Sequence, residues 1–165
     1  MRENVRWMTE VALLAAFLSV AGAFKLPGLL PGTEFQLSAP LAVAICAVFG
    51  FAKYITAGLL SSMAGLMLGT QSVWNVGIAL IFRCVVGAVF VLGGNRWLTV
   101  VLAGPIATIT SRLVVGGILG NMAIPFMLAA VPGIIYTAIT VWPLTILLKR
   151  ITERGKKAIV YVVQR

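Results

Sequence analysis

A chain of 165 residues that is 61% hydrophobic and only 10% charged has too little polar surface to clothe a soluble domain. Its formal charge of +9 does not point to nucleic acid, because the basic residues crowd the ends and no RNA-reading motif or basic–aromatic run lies between them. Arg2 and Arg6 open the chain, and Lys149, Arg150, Arg154, Lys156, Lys157 and Arg165 close it, the pattern of a membrane protein whose termini meet anionic headgroups.

Six apolar segments predict an all-α integral membrane protein, a compact bundle of six transmembrane helices forming one domain over residues 1–165. They run approximately 8–24, 39–52, 54–70, 73–93, 97–118 and 123–148. About 20 residues span a hydrocarbon core. The second and third segments are short for that, and together they form a hairpin expected to turn at Phe51-Ala52-Lys53-Tyr54. The first segment also has the form of a signal peptide, with a basic start and the small residues Ala21-Gly22-Ala23 near a cleavage point. Cleavage would leave five spans and set the basic ends on opposite faces, so the segment is expected to remain as the first helix.

The connection Lys25–Ser38 is the longest, and its dipeptides Pro27-Gly28 and Pro31-Gly32 predict that it folds back on itself. Leu26, Leu29, Leu30, Phe35 and Leu37 make it apolar, which suits a lid over the bundle or a loop on the lipid interface. Orientation follows from the Lys/Arg count. With the N-terminus inside, Arg2, Arg6, Lys53, Arg96 and the C-terminal cluster lie inside, and only Lys25 lies outside. An even number of spans then gives N-in and C-in.

The chemistry available is limited. There is no His or Asp, the acids are Glu3, Glu10, Glu34 and Glu153, and Cys46 and Cys84 read as buried free thiols. No triad, paired carboxylates, metal cluster or phosphate-cradling loop appears, so the chain is expected to be no enzyme and to carry no metal or cofactor.

Two arginines stand out, Arg83 and Arg112, inside apolar segments that contain no acid. A charge near the bilayer centre costs roughly 2.5–3.5 kcal/mol on insertion scales, so each needs a partner. Asn75 lies near the outer end of the fourth segment and Arg83 about 12 Å deeper, with Ala79, Phe82 and Val86 on the same broad face. Arg112 sits near the outer end of the fifth segment, with Thr108 one turn below. Gln71 and Trp74 lie in the connection above, Asn121 in the next, and Glu34 and Gln36 in the long loop. Polar groups converging on an outward-facing apolar pocket suit a small molecule, and guanidinium forks suit a carboxylate or phosphate. The alternatives are that Arg83 bonds helix carbonyls or Glu34, that Arg112 snorkels to headgroups, and that Trp74 is an interfacial anchor.

Small residues recur at four-residue spacing, as in Ala12/Ala16 and Ala15/Ser19 on the first helix and Ser61, Gly65 and Gly69 on the third, letting backbones approach closely. Pro105, Pro132 and Pro143 are expected to kink the last two helices or to border a cavity.

The order of Ala12-Leu-Leu-Ala-Ala16, the loop Leu30-Pro-Gly-Thr-Glu-Phe-Gln-Leu-Ser38 and the stretch Gly58-Leu-Leu-Ser-Ser-Met-Ala-Gly65, with the six-helix orientation, resembles the S component of an energy-coupling factor (ECF) vitamin transporter. The resemblance covers nearly the whole chain. It implies a substrate-binding subunit of an ABC-type importer in a prokaryotic plasma membrane, both termini cytoplasmic, taking a small anionic vitamin or vitamin-like precursor from outside. It implies a pocket under the first loop, for which Glu34, Gln36, Trp74, Asn75, Arg83, Arg112 and Asn121 are candidates. It also implies that Ala12 and Ala16, with Ala15 and Ser19 beside them, dock a transmembrane coupling subunit, while two ATPase subunits drive toppling and inward release. The stretch after Gly65, Leu-Met-Leu-Gly-Thr, lacks the acid that some members carry there. A stand-alone small-solute channel or facilitator, and a scaffold without ligand, are the competing readings.

Overall fold

A computed structural model describes residues 2–27, 34–36, 38–118 and 123–163. Among these, six helices follow one another: α1 (Arg2–Ala23), α2 (Ser38–Phe49), α3 (Phe51–Met67), α4 (Val73–Gly93), α5 (Trp97–Ile118) and α6 (Ala123–Val163). Between α1 and α2, β1 (Lys25–Pro27) pairs antiparallel with β2 (Glu34–Gln36), with Leu26 opposite Phe35. The first loop does fold back on itself, and in doing so it adds a small hairpin to a fold expected to be wholly helical. Pairing its own N–H and C=O groups is how a loop in apolar surroundings satisfies them.

Four helices, over Glu3–Ala23, Val73–Gly93, Trp97–Ile118 and Ala130–Gly155, are long and apolar enough to cross a bilayer, and they identify a helical membrane protein. Large side chains such as Phe17, Val20, Leu92 and Ile139 remain exposed on the outer surface, where lipid rather than water is the solvent. Helix α2 differs. Its 12 residues span about 18 Å, short of a hydrocarbon core of about 30 Å. It touches all five other helices, and Pro40, Ala42, Val43, Ala44, Ile45, Cys46 and Ala47 are buried. A helix that is apolar all round belongs in such a core.

Three limits depart from the sequence reading. The break between α2 and α3 falls at Gly50, not at residues 51–54, because the turn needs a positive φ (83°) that glycine adopts without strain. Helix α1 starts at Arg2 rather than near residue 8, and α6 runs to Val163 rather than ending near 148. Both extensions are polar, so an apolar window misses them, yet Arg, Glu and Lys are good helix formers. The Arg6–Glu10 pair at i, i+4 adds support in α1. Helix α5 runs through Pro105, and α6 through Pro132 and Pro143.

The helices alternate in direction. Asn95, between α4 and α5, donates through Nδ2 to the Ala47 carbonyl at 2.8 Å, and Lys53 of α3 donates to Glu10 of α1. The start of α1, the α2–α3 turn, the α4–α5 turn and the later part of α6 therefore share one end of the bundle. The hairpin and the α3–α4 turn mark the other.

Candidate functional site

Arg83 is buried on α4 with 8% of its surface exposed, and it turns towards α3. Its Nη1 donates to Ser62 Oγ at 2.9 Å. The rest of the guanidinium lies on Gly58, so closely that a Cβ there would sit 2.3 Å from Nε and 2.9 Å from Cζ. Tyr54, one turn along α3 from Gly58, is fully buried. Gly58, Ser62 and Tyr54 were named in the sequence for the family resemblance and the α2–α3 turn, but not as pocket residues. The usable signal was a glycine inside a helix whose neighbour carries an arginine in an apolar run.

Serine accepts one of the five N–H donors of a guanidinium and offers no opposite charge. Among the described side chains no carboxylate reaches Arg83; Glu10 is engaged by Lys53 and by Arg6 Nε, the latter at 3.0 Å. What the fold provides is a buried cation held in place and not neutralised by those groups.

One turn closer to the hairpin along the same face of α3, Gly65 carries the side chain of Gln71. A Cβ on Gly65 would stand 2.9 Å from Gln71 Cδ, and one on Gly22 of α1 would stand 3.6 Å from its Nε2. Among the described residues, neither Gln71 Oε1 nor the Tyr54 hydroxyl, both buried, has a hydrogen-bond partner. Each such buried group costs about 1–3 kcal/mol while it stays unsatisfied. The stripe Tyr54, Gly58, Ser62, Gly65 thus lines up an unsatisfied hydroxyl, a cation and an unsatisfied amide oxygen over 12 residues of helix, about 16 Å.

The other sequence-predicted residues are more scattered. Asn75 is half-buried in the first turn of α4, where its N–H donates to the N-cap Ser72 Oγ at 3.3 Å. Trp74, beside it, is 56% exposed, as an interfacial anchor would be. Arg112 is half-buried on α5. Thr108 Oγ1 returns to the Gly104 carbonyl within its own helix at 2.9 Å. Glu34 and Gln36 stand on β2, their backbones opposite Pro27 and Lys25. Asn121 lies outside the described residues. The structure brings Arg83 and Gln71 to one face of α3 and leaves Trp74 at the surface.

The small residues of α1 divide between two faces. Ala12 and Ala16 are exposed, whereas Ala15 is buried and Ser19 Oγ is bonded to the Ala15 carbonyl (2.9 Å) and to Ser61 Oγ of α3 (3.1 Å). Ala15 and Ser19, expected on a docking face, belong instead to the internal α1–α3 seam. At the end opposite the hairpin a cavity of about 310 Å³ is lined by Glu3, Arg6, Trp7, Glu10, Val48, Phe49, Lys53 and Thr152. Its wall carries two acids, Glu3 and Glu10, and two bases, Arg6 and Lys53, both of which bond Glu10.

No protein-family model matches the chain, and no solved structure matches it. Among curated proteins it is similar to Protein BioX of Lysinibacillus sphaericus, with 44% identity over 147 residues, 89% of each chain. Identity at that level over nearly the full length joins the two as homologues, and the chain belongs to the family of Protein BioX.

Proposed function

We propose that this chain is the membrane-embedded substrate-binding subunit of an ECF-type ABC importer, which captures a small anionic vitamin or vitamin-like precursor. The observation that carries the reading is Arg83: a buried cation in a membrane helix, seated on a glycine and bonded to a serine, with no carboxylate against it among the described side chains. An anionic ligand supplies the missing charge through charge-assisted hydrogen bonds. The remaining sequence candidates Glu34, Gln36, Asn75, Arg112 and Asn121 belong to the surroundings of that ligand, while the exposed Trp74 anchors the bundle at the membrane interface. All six helices lie in the membrane as one bundle, the short α2 enclosed by the longer helices, and the end bearing Arg6, Lys53, Arg96, Lys149 and Arg150 faces the cytoplasm, in line with the charge rule. Substrate enters from the hairpin side. The exposed Ala12 and Ala16 form the close-packing face for a transmembrane coupling subunit, and two ATPase subunits supply the energy.

The test is co-purification. A detergent extract of tagged chain should carry a coupling subunit, an ATPase pair and one stoichiometric small anion identifiable by mass spectrometry. Small carboxylates added back one at a time, with thermal stabilisation as readout, test the ligand directly. Substrate flux through liposomes containing only this chain would favour a facilitator. Recovery of neither ligand nor partners would favour a scaffold.

A further inference from the structure

We infer that Gln71 is a specificity-determining contact, and that the substrate carries a hydrogen-bond donor, such as a hydroxyl or an amide or urea N–H, in addition to its anionic group. This rests on the reading of Arg83 as the anion's partner. A buried acceptor without a donor is uncommon in a folded protein, and the fold places this one with care. The backbone N–H groups of Thr70 and Gln71 both donate to the Gly65 carbonyl, at 2.9 and 3.1 Å, and Gly69 makes the turn with φ +67°. That double anchor fixes where the Gln71 side chain starts. Gly65 then leaves room for it to lie flat on α3, where any larger residue would meet its Cδ.

The amide is therefore preorganised in a slot between α3 and Gly22 of α1, beside the hairpin end. Ser62, which holds Arg83, lies three residues from Gly65 on the same helix, about 4.5 Å along its axis. A ligand spanning the two would present its anion to Arg83 and its donor to Gln71 Oε1 one helical turn away. The Tyr54 hydroxyl shares the unsatisfied state but lies on the far side of Arg83 from the hairpin, fully covered, so it has no comparable claim to the ligand's donor.

The experiment measures binding of matched carboxylates to the full-length detergent-purified chain: 5-hydroxypentanoate against pentanoate, and 6-amino-6-oxohexanoate against 6-oxoheptanoate. The donor-bearing member of at least one pair should bind about tenfold tighter, the effect of satisfying one buried acceptor. Gln71→Leu should erase that preference and leave the affinity for the donor-free member unchanged. Gln71→Met, which fills the same slot without an amide, serves if the leucine variant does not fold. Equal affinities within both pairs, or a preference that survives removal of the amide, would overturn the inference and leave the anion reading standing. Failure of every carboxylate to bind wild-type protein would overturn the anion reading and this inference with it.

Discussion

Gly58 and Arg83 are fitted to each other across the α3–α4 seam, the one supplying a gap and the other a guanidinium that fills it to within 2.3 Å of where a Cβ would stand. Gly58→Ala should therefore push Arg83 off its seat. Overpacking of this kind costs about 1–3 kcal/mol. Thermal unfolding should show the variant less stable than wild type, and Gly58→Ala combined with Arg83→Ala should recover most of the loss. Simple additivity of the two substitutions would show that the fit carries no energy.

Arg83 itself should separate stability from binding. Arg83→Met removes a buried charge and keeps most of the volume, so the ligand-free protein should become more stable by up to about 3 kcal/mol, the insertion cost of a central arginine. Affinity for an anionic ligand should fall by tenfold or more, and Arg83→Lys should fall between, keeping the charge but not the planar fork. Calorimetric titration beside a melting curve reads both effects. A residue retained for structure alone would lose stability and leave binding intact.

Tyr54→Phe deletes a buried hydroxyl that has no partner among the described residues. The expected outcome is a rise in unfolding free energy of about 1 kcal/mol, the lower end of the cost of a buried unsatisfied group. A lower melting temperature would reveal a bond that the hydroxyl makes after all.

Glu10 joins α1 to α3 through Lys53 while also pairing with Arg6 along its own helix. All three groups are partly exposed, so Glu10→Gln should cost no more than about 1 kcal/mol. The loss should shrink as salt is raised, because screening weakens the wild-type pairs. Melting temperatures at two salt concentrations test this, and a salt-independent difference would locate the effect in packing.

Much of the architecture was legible in the sequence. The spans 73–93 and 97–118 have the limits of α4 and α5, since each is an apolar run closed by Gly, Asn or polar residues. The polar ends of α1 and α6 escaped notice because hydropathy measures what lipid will accept and not where a helix stops. Arg83 could be singled out from its charge alone. Gly58 could not, because its role exists only once an arginine 25 positions later folds back onto it. Gln71 was visible as a polar residue in a turn, but its burial is set by Gly22 and Gly65, two contacts that no local pattern encodes. Ala15 and Ala16 look alike in sequence, and only the position of α3 decides which of them is covered.

The enclosure of α2 has a consequence for how the protein is made. Helix α2 finds an extensive part of its sheath in α6, which leaves the ribosome well after it. Until then its row of alanines and valines has no permanent neighbour on that side. Enclosure of α2 therefore waits for α6, and a nascent chain stalled before residue 123 should hold α2 open to thiol reagents, with Cys46 as the built-in reporter once Cys84, which is exposed and not buried as its sequence suggested, has been replaced by serine.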